Sequence, residues 1–517
     1  MYKLGIDVGG TNTDAVLIDE DLNVVAAVKN PTSDDIYTGI MGAVDAVLAD
    51  SGVDRAQIAQ AMLGTTQCTN AIVERKGLAP IAILRIGAPA TVGIPPMVDW
   101  ADDIAAVCVD SLIIEGGFEY DGKRLAEFDE AACRAFFEGV KGRVEAVAVS
   151  SVFSTVRNDD ELRAATIARE VLGEDVHVSI SSEIGSMGLI ERENATILNA
   201  ALYDVARTTA DSFEAALASE GLTDVAVYLG QNDGTLMSVD YAKRYPIFTI
   251  ACGPTNSIRG ASFLTQEKDA VVVDIGGTTT DVGVLAHGFP RESMVAVEIG
   301  DVRTNFRMPD LVSVGLGGGS LVRQLEDGSM TVGPDSVGYL VTKKARCFGG
   351  DTLTATDIVV AKGLAEGVGD PALVADLDPA LVDAAYVEIT RIIEDAVDAM
   401  KTSAGDVTVI LVGGGSILAP DQLEGSDNVL RPENFGVANA VGSAIAQVSG
   451  QIAKVFSLTE TPRDQALAES KQRACDEAIE AGADPSTVEV VDVEDIPMAY
   501  LGDALCIRVK AVGDLML

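Results

Sequence analysis

The residues of this chain best suited to chemistry come in two matching sets. Residues 5–18 read GIDVGGTNTDAVLI and residues 272–285 read VVDIGGTTTDVGVL, so an octet D-x-G-G-T-x-T-D stands at 7–14 and again at 274–281. The residue types suit phosphate. Adjacent glycines let backbone N–H groups approach an anion and adopt φ > 0 without strain. Threonine hydroxyls add donors. A carboxylate at a strand end can hold Mg²⁺ through its waters, which suits an ion that dehydrates reluctantly.

Each octet must be positioned by what flanks it. Apolar runs at 4–6 and 271–273 precede the octets, and runs at 15–18 and 282–285 follow them. That pattern predicts two β-hairpins with tight Gly-Gly turns. Two copies half a chain apart imply two related lobes facing each other across a cleft. Two further glycine clusters end apolar runs: 407–412 leads into Gly413, Gly414, Gly415 and Ser416, and 311–316 leads into Gly317, Gly318, Gly319 and Ser320. The first has the pattern of a strand-to-helix turn over which an adenosine passes; the second is either a ligand loop or a flexible turn. A G-x-x-x-x-G-K-[ST] loop is absent, so the expected phosphate cradle is of the two-hairpin kind.

On this reading Asp7 and Asp274 hold Mg²⁺ through water. Gly9, Gly10, Thr11, Asn12 and Thr13 face the phosphates of ATP from one side, and Gly276, Gly277, Thr278, Thr279 and Thr280 from the other. Thr11 and Thr278 join the two aspartates as the residues expected to act in phosphoryl transfer. Asp14 and Asp281 are expected to brace their own turns. Asn439, on a following helix, is a candidate beside the adenosine.

Composition narrows the alternatives. Among 517 residues, 37 Lys+Arg stand against 79 Asp+Glu, for a formal charge of −42, which disfavours nucleic acid and acidic membrane surfaces as partners. Seven dispersed cysteines with no C-x-x-C pair, and two histidines, supply no zinc or iron–sulfur spacing. Odd, scattered thiols and the lack of an apolar leader or spanning stretch point to a cytoplasmic protein. His177, between valines, reads as a core histidine and His287 as exposed; Cys252, before a Gly-Pro turn, reads as a nucleophile or, more simply, a small buried residue.

Apolar spacing predicts helices at 53–61, 126–139, 194–220, 380–402 and 438–448, and a buried strand at 144–152. Asp378-Pro379 is a helix-entry signal, and 87–96, with three prolines, reads as a loop. Composition shifts past 455: 460–481 reads as a charged helix, 488–493 and 504–509 as strands, and the apolar end, 512–517, as a docking segment. The units expected are an N-terminal lobe at 1–190 with the first hairpin and an insertion, a second lobe at 191–455, and a helix-strand-strand tail at 456–517.

The octets and the 409–416 turn resemble the signatures of the actin, sugar kinase and heat-shock chaperone ATPase superfamily, which implies an α/β fold of two ribonuclease-H-like lobes clamping Mg-ATP. Other segments resemble one branch, the hydantoinase/oxoprolinase family. Gly64-Thr65-Thr66, Thr69-Asn70-Ala71 and Glu74-Arg75-Lys76-Gly77 are similar to its GTT-x-x-TNA-x-x-ERKG segment. Ser181-Ser182-Glu183, Glu191-Arg192 and Thr196-Ile197-Leu198-Asn199-Ala200 resemble its SSE…ER…T-x-x-NA block. Cys252-Gly253-Pro254 resembles its SGPA turn, and Arg346-Cys347-Phe348-Gly349-Gly350-Asp351 with Thr354, Thr356 and Asp357 its CYG-x-GG…T-x-TD run. The family's SNGG turn reads Gln231-Asn232-Asp233-Gly234 here.

This resemblance implies an ATP-dependent hydrolase, or one subunit of it, that phosphorylates the carbonyl of a cyclic amide of hydantoin, oxoproline or lactam type. It also implies a second hydantoinase-type subunit as partner. Thr65, Thr66, Asn70 and Arg75 either face the substrate or cap a helix beginning near Asn70. The alternatives are a non-catalytic ATPase switch that remodels a partner protein, and a small-molecule kinase.

Overall fold

The computed structural model describes every residue except 10, 11, 32–35, 294–296, 403, 404, 460, 499–502 and 517. The two octets build the same unit twice. In the first lobe Tyr2–Val8 and Asn12–Ile18 form an antiparallel hairpin that sets Asp7 opposite Asp14. Val24–Pro31 joins its outer edge. Ile58–Thr65 runs parallel to Tyr2–Val8 on the other side, followed by Ala226–Gly230. In the second lobe Ala270–Ile275 and Thr280–Ala286 set Asp274 opposite Asp281. Leu311–Val314 takes the outer edge, and Val407–Val412 and Ser426–Leu430 run parallel on the inner one. Both lobes therefore place their five strands in the spatial order third, second, first, fourth, fifth. This is the two-lobed, ribonuclease-H-like α/β fold.

Each sheet is buried on both faces, which is why its central strands read as unbroken apolar runs. In the first lobe helix Ile36–Ser51 covers one face through Ile40, Val44 and Val47. Helix Ala438–Ile445 covers the other, through Ala440, Val441 and Ala444 against Val16 and Ile18. In the second lobe helix Pro379–Met400 packs Ile389, Ile393 and Val397 on Val271 and Val273. Helix Cys252–Thr265 sets Ile258 and Ala261 against Val272, Leu285 and Ile410. Asp378 caps Pro379–Met400 by accepting from Ala380 N–H at 3.0 Å, the entry its sequence predicts.

Helices Cys252–Thr265 and Ala438–Ile445 also cross each other and thereby join the lobes. Their backbones meet at glycines: a Cβ on Gly260 would overlap the Ala438 carbonyl oxygen, and one on Gly442 the Asn256 carbonyl oxygen.

A third layer is inserted in the first lobe. Its four parallel strands lie in the order Cys108–Glu115, Ile81–Ala88, Ala146–Ser151, His177–Ile180, with helices Glu130–Val140 and Asp159–Leu172 beside them. The family block around 181–200 ties this layer down. Arg85 is fully buried and donates through Nε to Glu193 at 2.7 Å, while Arg192 donates to Ser181 Oγ at 3.0 Å and to the Ser151 carbonyl at 2.7 Å. These buried charges are paired and hydrogen-bonded, as their burial requires.

Several elements differ from the sequence reading. The helix expected at 53–61 is a short 3-10 turn, Arg55–Gln57, and then the strand Ile58–Thr65. Its run of buried apolar residues carries no period that separates strand from helix, and the open parallel edge of Tyr2–Val8 decides the matter. The helix expected at 194–220 is two, Leu189–Ala201 and Tyr203–Ser219. The helix expected at 438–448 ends at Ile445, and Cys252 opens a helix rather than preceding a turn. The tail is no separate unit in space: the boundary expected at 455 falls inside the strand Val448–Ser457. That strand pairs with Ala504–Gly513, which pairs with Glu489–Pro497, and all three extend the first lobe's sheet to nine strands. Ala226–Gly230 and Leu236–Ser238, from the stretch assigned to the second lobe, lie in that sheet too. Helix Arg463–Glu480 packs Ala466 and Ala474 on this extension. Val512 and Leu515 are buried, so the apolar end docks within the chain, while residue 517 lies outside the described residues.

Candidate active site between the two hairpins

The hairpin turns are built alike. Gly9 N–H donates to the Asn12 carbonyl at 3.0 Å, and Gly276 N–H to the Thr279 carbonyl at 2.9 Å. Residues 10 and 11 fall outside the described residues, so the phosphate roles expected of Gly10 and Thr11 have no structural counterpart here. Thr278 and Thr279 stand exposed at the tip of the second turn. Thr280 does not: it is buried, and its hydroxyl donates to the Leu316 carbonyl at 2.7 Å, turned away from the cleft. Thr13 is likewise buried, with its hydroxyl unpartnered, and Asn12 is half-buried.

The second glycine cluster braces the second turn from behind. Gly318 N–H donates to the Gly276 carbonyl at 3.0 Å and Gly319 N–H to the Gly277 carbonyl at 2.8 Å. Side chains at Gly317 and Gly319 would collide with residues 277 and 278. Thr356 in turn holds the Gly318 carbonyl at 2.8 Å through its hydroxyl. Asp357 accepts from Cys347 N–H at 2.7 Å and Thr354 N–H at 2.8 Å. The T-x-TD run is thus the support of the second hairpin turn, and carbonyls pinned behind it leave the tip facing the cleft.

The two leading aspartates end their strands at this cleft. Asp7 is buried, and Asn439 Nδ2 donates to its Oδ2 at 2.9 Å; its Oδ1 has no hydrogen-bond partner. Burial foremost, then the negative charge of Asp14, pushes its carboxyl up to about 7. Asn439, expected beside the adenosine, is therefore directed at the first hairpin. Asp274 is half-buried and accepts from Ser257 Oγ; burial raises its pKa while the Ser257 bond opposes the shift. Asp281, held up to about 6 by burial and then by the charge of Asp274, backs it. Asp14 does more than brace its turn. Lys29 Nζ donates to its Oδ2 at 2.7 Å. Sequence reasoning missed Lys29, because its place opposite Asp14 follows from the pairing of Asn12–Ile18 with Val24–Pro31 and from no motif.

Two glycines leave room for these carboxylates. A Cβ on Gly64 would overlap Asp7 Oδ1, and one on Gly413, where φ is +82°, would overlap Asp274 Oδ1. Gly64 lies in the strand parallel to the first hairpin, directly opposite Asp7, and Gly413 comes one residue after Val412, which lies opposite Asp274, so the two cradles are closely alike. The 413–416 turn lies flush on the second hairpin, with Gly415 N–H donating to the Ile275 carbonyl at 2.7 Å. Gly414 is exposed toward the cleft, whereas Ser416 is buried and its hydroxyl lacks a partner.

Among the described residues no three His, Cys, Asp or Glu side chains gather as a metal cluster. The donor set is instead two hard carboxylates on opposite hairpins, Asp7 buried and Asp274 half-buried, the first with an oxygen that has no close partner among the described residues. That set fits Mg²⁺, which keeps its waters and takes its remaining ligands from substrate phosphates.

The residues expected at the substrate separate. Thr65 Oγ1 accepts from Gln67 N–H at 3.2 Å just before helix Gln67–Val73, whose N-cap position is Thr66 without a side-chain capping bond and which begins three residues before Asn70; Asn70 Nδ2 in turn lies 3.4 Å from Thr66 Oγ1. Arg75 points elsewhere, to Asp301 at 2.9 Å and Asp103 at 3.3 Å. Thr66 alone stays close to the chemistry: its methyl and Asp7 Oδ1 both border Gly253. Cys252 is fully buried and exchanges bonds with Thr65, donating to its carbonyl at 3.1 Å. Burial pushes its thiol up to about 12, which disfavours the thiolate that a nucleophile needs. Cys252→Ser is expected to keep nucleotide turnover within about threefold, since a hydroxyl can make both bonds; a steady-state assay checks this. His177 stacks on Tyr203 in the insertion layer, and the His287 side chain is 93 % exposed.

A cavity of about 890 Å³ opens beside, not between, the hairpins. Asn232, Tyr241, Tyr245, Phe248, Phe306 and Arg508 are among its walls, and none of Thr65, Thr66, Asn70 or Arg75 is. It begins at Gln231, where Ala226–Gly230 ends, two strands from Asp7 or roughly 10 Å at ordinary strand spacing.

Two ribonuclease-H-like lobes presenting twin hairpins to one cleft define an actin-like ATPase fold. Solved structures agree: the ATP-dependent caprolactamase from Pseudomonas jessenii superposes with a TM-score of 0.78 at 19 % identity, covering 100 % of this chain and 88 % of that one. Nucleotide-free acetone carboxylase superposes at 0.70 with the same identity and coverage. The chain belongs to the hydantoinase/oxoprolinase family. The Hydantoinase/oxoprolinase N-terminal region matches residues 3–172 and the Hydantoinase/oxoprolinase domain residues 192–367, together well over half the chain. In sequence it is 26 % identical to caprolactamase subunit alpha of Pseudomonas jessenii over 473 residues, 86 % of this chain. It spans 65 % of that subunit's length. Among the described residues no helix is long and apolar enough to cross a membrane.

Proposed function

We propose that this chain is the ATP-binding subunit of an enzyme that activates the carbonyl of a cyclic amide by phosphorylation. The observation that supports this most is the paired cradle: Asp7 and Asp274, each at the end of a glycine–threonine hairpin and each given room by a nearby glycine. Phosphoryl transfer asks a protein for positioning and charge neutralisation more than for covalent chemistry. Gly9, Gly276, Gly277, Thr278 and the 413–416 turn supply the first. Asp7 and Asp274 would hold Mg²⁺, which neutralises charge developing on the phosphates.

The reaction is an attack of the amide carbonyl oxygen on the γ-phosphorus with loss of ADP. It leaves an imidate phosphate whose carbon is the better electrophile; water adds there, the ring C–N bond breaks as the nitrogen takes up a proton, and the resulting acyl phosphate is hydrolysed to carboxylate and inorganic phosphate. The 890 Å³ cavity is the proposed acceptor chamber. It reaches the carboxyl end of Ala226–Gly230 in the same sheet, where open α/β sheets bind ligands, and it sets the aromatic rings of Tyr241, Tyr245, Phe248 and Phe306 among many polar groups, Asn232 and Arg508 included. A second subunit completes hydrolysis in this reading, in line with the subunit naming of the caprolactamase relative.

The test is ATP turnover by the purified chain, alone and with its hydantoinase-type partner, against a panel of lactams, hydantoins, 5-oxoproline and simple ketones. Stimulation of at least tenfold by one class of cyclic amide is the expected result. Turnover raised only by another protein, with every small molecule inert, overturns the reading in favour of a remodelling switch.

A further inference from the structure

We propose that Lys29 is a phosphate-binding residue of this cleft, held by Asp14 until nucleotide arrives and then donating to the phosphate oxygens. The inference rests on the nucleotide-site reading above and adds to it a residue outside every motif of the chain.

Register carries the first part of the argument. Asp7 lies directly opposite Asp14, and Asp14 directly opposite Lys29, so the three share one face across three adjacent strands. Lys29 is therefore aimed at the same space as the leading aspartate. Its ammonium meets Asp14 Oδ2 at 2.7 Å. The Asp14 side chain is 2 % exposed, while that of Lys29 is 34 % exposed and so reaches into the opening.

Position across the cleft carries the second part. Lys29 Cε lies 3.8 Å from where a Cβ on Gly414 would stand, so its stem spans from the first lobe to the glycine turn of the second. A triphosphate passing from that turn to the two hairpins must run by this ammonium.

Charge carries the third. Asp7, Asp14, Asp274 and Asp281 would together repel a polyphosphate. Among the described residues Lys29 is the cation whose charge reaches Asp7, Asp14 and Asp274 alike. Among the described residues Asp14 Oδ1 makes no close hydrogen bond, although the Asn439 side chain also stabilises the carboxylate, so Asp14 does not depend on Lys29 alone. An ammonium has three donors in a compact head and can serve a carboxylate and a phosphate in turn.

The experiment is titration calorimetry of ATP, ADP and AMP, each with Mg²⁺, into the full chain and into Lys29→Met, Lys29→Arg and Lys29→Met/Asp14→Asn. Thermal midpoints are recorded for every variant. Lys29→Met is expected to weaken ATP roughly 10- to 100-fold, the scale of a lost charged hydrogen bond, to weaken ADP less, and to leave AMP unchanged. Lys29→Arg should recover most of the ATP affinity. The double variant relieves the buried Asp14 charge, so its midpoint should return toward the parent's while the ATP defect persists. Equal losses for all three nucleotides, full recovery of ATP binding in the double variant, or Lys29→Met within twofold of the parent would each overturn the proposal and leave the nucleotide site standing. A parent chain that takes up none of the three nucleotides removes the site itself, and the role of Lys29 with it.

Discussion

Asp7→Asn is expected to abolish productive turnover, by about 10³-fold or more, while making the nucleotide-free protein more stable at pH 8. The first effect follows from removing a buried charge aimed at the transferring phosphate and its metal. The second follows from linkage. The folded state holds the Asp7 proton up to about pH 7, against 3.8 for an ordinary aspartate. A carboxyl whose folded pKa is raised binds its proton more tightly in the fold, so stability falls as pH climbs from about 4 and the loss is complete only above about 7. At pH 8 the parent bears a penalty on the order of a few kcal/mol, and the Asn variant does not. The Asn439 bond survives, since a side-chain amide oxygen still accepts from Nδ2. Scanning calorimetry at pH 5 and pH 8 should therefore show a gain of a few degrees at pH 8 and less than half of that gain at pH 5. Equal destabilisation at both values would mean that Asp7 serves the fold rather than the site.

The other large effect belongs to the helix crossing. Gly442→Ala, and separately Gly260→Ala, should each lower stability by about 3 kcal/mol or more, beyond the usual cost of overpacking. The added methyl meets a backbone carbonyl oxygen of the facing helix, and backbone cannot rotate away as a side chain does. Chemical denaturation gives the loss. Because these two helices are the covers of opposite sheets, any folded fraction should also bind ATP more weakly, its hairpins having moved apart. Gly139→Ala is the matching control: it sits in helix Glu130–Val140 with open space around it, so the change should be neutral or slightly stabilising. Should Gly442→Ala behave like Gly139→Ala, the close crossing is not what sets the lobes.

Which parts of this site could be read in advance follows from the range of the interactions involved. The hairpins were legible because they are local: each octet carries its turn glycines and both flanking strands within 14 residues. The Asp378-Pro379 entry to Pro379–Met400 was legible for the same reason. The strand Ile58–Thr65 was misread as helix because a run buried on every side carries no alternation, and its partner Tyr2–Val8 is more than fifty residues away. Arg75 looked like a substrate contact within its ERKG segment, yet Asp103 and Asp301 claim it, 28 and 226 residues distant. Thr280 looked equivalent to its neighbours at the turn, and only the packing of the 317–320 cluster behind it turns its hydroxyl inward.

Residue types alone determined that this protein repeats a glycine–threonine clasp and that the clasp ends in aspartate. Tertiary structure decided which strand edges meet. It brought Lys29 opposite Asp14, folded the tail into the first lobe's sheet, and left a cavity two strands from Asp7. The physical reason is common to all three. A turn is set by the backbone freedom of its own residues, whereas pairing across a sheet depends on which edges remain open once the rest of the chain is buried.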